Sequence, residues 1–178
     1  MNEGKKFEQI FKKSAPDYCL TIRLNDYAQA FKKSDLAKFT PKNKCDFIMF
    51  NTVSRVLYCL ELKSTKYRSI SFEDIYSDEE QDKMIHKHQI LALREFSEYK
   101  NVIAGFVFNF RDEKNNMERT YFQKIQDFLK MCKDIKKKSF NELDLILGGA
   151  IKIEGTKKRV NYTWNIDKLF KEQVEVVI

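Results

Sequence analysis

The sequence predicts one α/β domain built around a mixed β-sheet. Three observations carry this. Two short apolar runs, Asp46 to Phe50 and Val56 to Lys63, flank the turn-like stretch Asn51 to Arg55 and read as a β-hairpin. Val102 to Phe110 is almost continuously apolar, which suits a central strand buried on both faces. Apolar residues recur at helical spacing before the hairpin, between it and that strand, and after it. The resulting order is helix, strand, hairpin, helix, strand, helix.

Each element has its own signal. Phe7, Ile10 and Phe11 are spaced i, i+3, i+4 and Pro16 follows, so a short amphipathic helix opens the chain. Tyr18 to Arg23 reads as the first strand. Leu24 to Lys44 is a basic excursion with a helix expected around Asp26–Lys33, and Lys32, Lys33, Lys38, Lys42 and Lys44 are interleaved with Tyr27, Phe31 and Phe39. Such a stretch can grip phosphates and stack on bases, or be a solvated loop anchored by its aromatics. After the hairpin, Ser64 to Arg68 is a basic link containing Lys66 and Arg68. Ser71–Phe72–Glu73–Asp74 has the pattern of a helix cap. A long helix is expected from about Glu80 to Tyr99, with Gln89 on its apolar row beside Ile85, Ala92 and Phe96. A buried glutamine needs a partner. His86 and His88 are two apart on that helix and do not face each other, which argues against zinc. Tyr121, Phe122, Ile125, Phe128, Leu129 and Cys132 mark the next helix. Ser139 to Glu142 reads as a capping box opening a short helix that stops at Gly148–Gly149. Trp164 and the residues around Val160 suggest a late hairpin. The tail Val174 to Ile178 suggests an edge strand or a dimer contact.

Composition bounds the class. A chain of 178 residues suits a single domain. Aromatics make up 13% of it, which argues against disorder. Lys and Arg total 33 against 26 Asp and Glu, a formal net charge of +7. That excess favours a polyanionic partner, nucleic acid first, although solubility alone can also produce it. The four cysteines, Cys19, Cys45, Cys59 and Cys132, show no CxxC spacing and read as reduced core thiols. The polar start lacks the apolar core of a signal peptide, and no apolar run approaches the ~20 residues of a membrane span. The expectation is a cytoplasmic protein with no membrane contact.

The chemistry sits at the ends of the hairpin. Side chains alternate along a strand, so Glu61 and Lys63 share a face with Leu57 and Cys59. An antiparallel hairpin returns the end of its second strand to the start of its first. Asp46 is therefore expected beside Glu61 and Lys63. Two carboxylates with a lysine can bind a hard divalent cation through oxygen. The lysine can then hold the attacking water or neutralise developing charge. Ordinary solvated charges at the ends of a surface hairpin remain the alternative from these residues alone. Glu8 lies beside the apolar stripe of the first helix, where it can reach a buried site or simply mark the stripe's boundary.

Asp46 followed by Glu61–Leu62–Lys63, on a hairpin between two helices, resembles the PD-(D/E)XK nuclease core, and Glu8 stands where that core's first helix carries a glutamate. The chain more specifically resembles RecU-type Holliday junction resolvases. His88–Gln89–Ile90 is similar to that family's HQI helix start, and Lys138–Ser139–Phe140 with Gly149–Ala150–Ile151 to its C-terminal pattern. The excursion at about 24–44 lies where those proteins project a stalk, without an obvious match in sequence. Ser71 to Lys83 looks like an insertion.

The resemblance spans roughly Gly4 to Phe170 and implies a restriction-endonuclease-like core in a single nuclease domain over 1–178. It implies a Mg²⁺-dependent endodeoxyribonuclease, with Mn²⁺ as a substitute. Asp46, Glu61 and the Leu62 carbonyl would hold the metal, with Glu8 completing the site directly or through water. Lys63 would position the nucleophilic water, and Gln89 would orient water, metal or phosphate. The expected partner is branched DNA, a four-way junction, cut twice by a homodimer in a bacterial or phage setting. Lys32, Lys33, Lys38, Lys42, Lys44, Lys66 and Arg68 are the expected DNA contacts. Two rivals stay open: a repair or restriction-like nuclease on other DNA, and a non-catalytic nucleic-acid-binding module.

Overall fold

A computed structural model describes residues 2–24, 43–77, 82–159 and 161–174. The predicted helix within 24–44, the lysines at 32, 33, 38 and 42, Val160 and the tail beyond Val174 lie outside the described residues.

Helix α1 (Glu3–Lys13) starts where the Asn2 side chain accepts a hydrogen bond from Gly4 N at 3.0 Å, and it buries Phe7 and Phe11. Strands β1 (Cys19–Arg23), β2 (Phe47–Asn51) and β3 (Val56–Thr65) pair antiparallel in sequence order. Asn51 stands opposite Val56, as the hairpin requires. Arg55 takes the left-handed conformation that closes the turn, and Asn51 Oδ1 accepts from Val53 N and Ser54 N. Strand β4 (Ser69–Ser71) and helix α2 (Lys87–Phe96) lead to β5 (Val102–Asp112), which runs parallel to β3. A parallel pair needs a crossover, and α2 lies within it. β6 (Met117–Lys124), α3 (Ile125–Ile135), β7 (Ser139–Asn141), α4 (Glu142–Leu147), β8 (Ile151–Ile153), β9 (Gly155–Lys157), β10 (Tyr162–Trp164) and α5 (Ile166–Val174) complete the chain.

The central sheet has six strands in the order β1-β2-β3-β5-β6-β8, with β3–β5 its parallel pair. Small two-stranded sheets join β4 to β7 and β9 to β10. The predicted mixed sheet with flanking helices is therefore observed. One face packs Ile90 and Leu93 of α2 and Phe128 of α3 against Phe106 and Phe108. The other packs Phe7 and Phe11 of α1 and Phe170 of α5 against Tyr58, Leu60 and Val107. Strand β5 thus feeds both cores, as its unbroken apolar run predicts. Among the described residues no helix is long and apolar enough to cross a membrane.

Four local expectations are corrected. The helix expected from Glu80 begins only at Lys87, because buried Ile85 is drawn into a parallel bridge with Phe72. Ser71 caps no helix: it ends β4, and its hydroxyl accepts from Met84 N at 3.2 Å. Glu73 instead receives Lys87 N, capping α2 from fourteen residues upstream. Tyr121 and Phe122 belong to β6, where pairing with Phe108 and Val107 outweighs their helical spacing. The capping box runs from Asn141 to Asp144, two residues later than expected, because Ser139 and Phe140 are in β7. Finally, α5 is a helix in a stretch for which no element is predicted.

Gly105 marks how tightly β5 and β6 approach. A Cβ built there would lie 2.2 Å from the Gln123 carbonyl oxygen, a backbone atom that cannot swing aside. Gly105→Ala is expected to destabilise the fold by about 1–3 kcal/mol. The check is a lower urea midpoint at an unchanged slope.

Candidate active site

The hairpin register delivers the expected convergence. Asp46 directly precedes β2, its amide donates to Leu60 O at 3.0 Å, and its Oδ2 accepts from Leu62 N at 2.8 Å. The Asp46 side chain thereby takes up the backbone donor between Glu61 and Lys63. Glu61 is only 4% exposed. Its Oε1 accepts from Lys63 Nζ at 3.0 Å and from Gln89 Nε2. Gln89 stands in the first turn of α2, and its Oε1 accepts from His86 N at 3.0 Å. The glutamine is thus clamped between its helix cap and the carboxylate. The predicted partnership for this glutamine is observed, although Gln89 is half-buried rather than buried, in a geometry that fixes Glu61.

Glu8 comes from α1, and its Oε2 accepts from Arg23 Nε at 2.6 Å. Arg23 closes β1, at the end of the hairpin layer where Asp46 lies. Its part in holding Glu8 has a sequence signal, a cation terminating a strand, but the partner fifteen residues upstream is set by tertiary packing. Cys45 and Cys59 are buried just inside the two acids. Contact with the Cys59 thiol, together with burial, pushes the Cys45 thiol up and keeps it protonated.

The electrostatics follow from this crowding. Burial and then the Glu61 carboxylate push Asp46 from 3.8 up to about 7. The hydrogen bond from Leu62 N pulls it down, Glu8 adds to the rise and Lys63 opposes it. Asp46 Oδ1 accepts no hydrogen bond among the described residues. Among those residues no three His, Cys, Asp or Glu side chains stand close enough together to hold a metal ion. The donor set is two carboxylates flanking a main-chain segment. That suits Mg²⁺, which keeps several waters and typically takes one or two carboxylates. A divalent cation would also relieve the repulsion that raises Asp46.

Of the expected DNA contacts, Lys44 is exposed, pairs with Glu95 at 2.7 Å and lies 5.8 Å from the Phe96 ring centre. Lys66 and Arg68 are exposed just beyond β3. Against the expectation that His86 and His88 face apart, the ring of exposed His88 stacks on that of His86 at 5.5 Å, because His86 is the extended N-cap of α2 and not a helical residue.

No family model matches the chain. It is similar to the SPbeta prophage-derived uncharacterized protein YotM of Bacillus subtilis strain 168, with 36% identity over 186 residues, taking in 98% of this chain and 88% of the relative. The chain belongs to the family of that prophage-derived protein.

Proposed function

We propose that the protein is a metal-dependent endodeoxyribonuclease that resolves four-way DNA junctions as a homodimer. The observation carrying this reading is the meeting of Asp46, Glu61 and Lys63 at one end of the hairpin, with Gln89 locking Glu61 from α2. The element order α1, β1, β2, β3, α2, β5 around a mixed sheet supports a restriction-endonuclease-like core. Asp46, Glu61 and the Leu62 carbonyl would hold Mg²⁺, and Mn²⁺ would substitute. When bound, the ion supplies charge neutralisation and lowers the pKa of water.

The chain's own residues do the rest. Lys63, 15% exposed and paired to Glu61, holds the attacking water and offsets charge growing on the phosphate. Gln89 keeps Glu61 in one rotamer. Glu8, tethered to Arg23, adds negative potential from the α1 side. The water oxygen bonds to phosphorus as the P–O3′ bond breaks in line with it; the water gives up one proton to solvent and the departing 3′ oxygen takes one from solvent, giving a 5′-phosphate and a 3′-hydroxyl. Two such sites related by a twofold axis make the paired cuts a junction needs. The prophage-derived relative supports a phage-encoded origin.

The test compares a synthetic four-way junction with a linear duplex of the same sequence in Mg²⁺. Symmetric cuts confined to the junction are expected. Equal cutting of both DNAs would discard junction specificity and keep the nuclease.

A further inference from the structure

Lys66, Tyr67 and Arg68 form the turn after β3, and they line one wall of an open groove of about 870 Å³. The groove's Phe110 and Arg119 wall lies on the Glu61 face of the sheet, and Arg111 lines it from the opposite face, where it reaches Ser64 and Glu3. Glu61, Lys63 and Thr65 occupy successive positions on one face of β3, and Thr65 is in register with Phe110 of β5 and through it with Arg119 of β6. Phe110 and Arg119 line the groove. It therefore opens about 13 Å beyond Glu61, at ~3.3 Å per residue.

Its charge is lopsided. Two of its acids are occupied: Glu142 takes Arg119 at 2.7 Å, and Glu113 takes Arg111 at 3.1 Å. Asp112 accepts from Asn115. Lys66, Arg68 and Lys114 remain exposed along the groove. Between the first two, Tyr67 is 66% exposed, with Lys66 Nζ 5.9 Å from its ring centre. The turn is not slack, because Tyr67 N donates to the hydroxyl of buried Thr65 at 3.0 Å. A phenol ring held in the open between two cations can stack on the face of an unpaired base.

We infer that this groove binds an unpaired DNA strand leading away from the scissile phosphate, with Tyr67 stacking on a base and Lys66, Arg68 and Lys114 on its phosphates. The inference rests on the nuclease reading for the direction of the strand, and its test separates the two. The probe is oligo(dT) against a blunt duplex, with the full chain carrying Asp46→Asn. In that background the indole of Tyr67→Trp is expected to be quenched saturably by oligo(dT), while Trp164, buried, stays silent. Tyr67→Ala is expected to weaken oligo(dT) binding about tenfold and duplex binding less than twofold, with Tyr67→Phe matching the parent. Absence of quenching, or equal weakening toward both DNAs, overturns the inference. Quenching by a protein whose wild type never cleaves DNA would keep the groove and remove the nuclease. Cleavage without quenching would do the reverse.

Discussion

Asp46→Asn is expected to lower the rate of DNA cleavage by about three orders of magnitude while leaving DNA affinity within a factor of two or so. The substitution is nearly isosteric. The amide oxygen it introduces can still accept from Leu62 N, so the end of the hairpin keeps its backbone geometry. What disappears is one of the two negative charges that would hold a cation. Glu61→Gln is expected to act similarly, since Lys63 Nζ and Gln89 Nε2 both bond Glu61 Oε1 and an amide oxygen can receive them. DNA binding survives because it rests on Lys and Arg contacts to phosphate. Single-turnover cleavage and fluorescence anisotropy on the same DNA check both halves. Full cleavage by either variant would remove the acid pair from the chemistry.

The second large effect is on stability. Folding carries Asp46 from 3.8 up to about 7, through burial and the neighbouring Glu61, with Glu8 adding and Leu62 N and Lys63 opposing. Below pH 4 both folded and unfolded chains hold the proton, and Asp46 contributes no pH dependence. Between pH 4 and pH 7 the folded chain keeps a proton that the unfolded chain has released, so stability falls as pH rises. Above pH 7 the full penalty stands. Without divalent metal, the protein is expected to lose on the order of 2–3 kcal/mol between pH 5 and pH 8 through this group. Asp46→Asn removes that loss and is more stable than wild type at pH 8. Mg²⁺ at a hundred times its dissociation constant returns about 2.7 kcal/mol to wild type and nothing to the variant. Urea midpoints at the two pH values, with EDTA or Mg²⁺, decide the matter. Parallel pH profiles for wild type and variant would show that Asp46 is not under strain.

Those two results depend on a feature legible in the sequence. Charges that terminate apolar runs are costly unless they meet, and the alternation of a hairpin says where they meet. Asp46, Glu61 and Lys63 follow from that logic, and Gln89 from its place on an apolar row. The parts that were not legible are those decided at a distance. Ile85 fits a helical stripe as well as it fits the bridge to Phe72, and only the partner chooses. Tyr121 and Phe122 have helical spacing with Ile125, yet β5 supplies a ladder for them. Ser71, three residues before Asp74, imitates a cap, whereas Glu73 caps a helix fourteen residues on. Helix α5 did carry a local signal. Ile166, Leu169, Phe170 and Gln173 are spaced i, i+3, i+4, i+7, and the Asn165 side chain accepts from Lys168 N at 3.0 Å.

The proposed function turns on Asp46 and Glu61 forming a metal-dependent centre that cuts branched DNA. One labelled four-way junction, incubated with wild type and with Asp46→Asn, each in Mg²⁺ and in EDTA, puts that to the test. Paired cuts by wild type in Mg²⁺ and none in the other three lanes are expected. Cuts that persist in EDTA or in Asp46→Asn, or an intact junction tightly bound by wild type in Mg²⁺, would refute it.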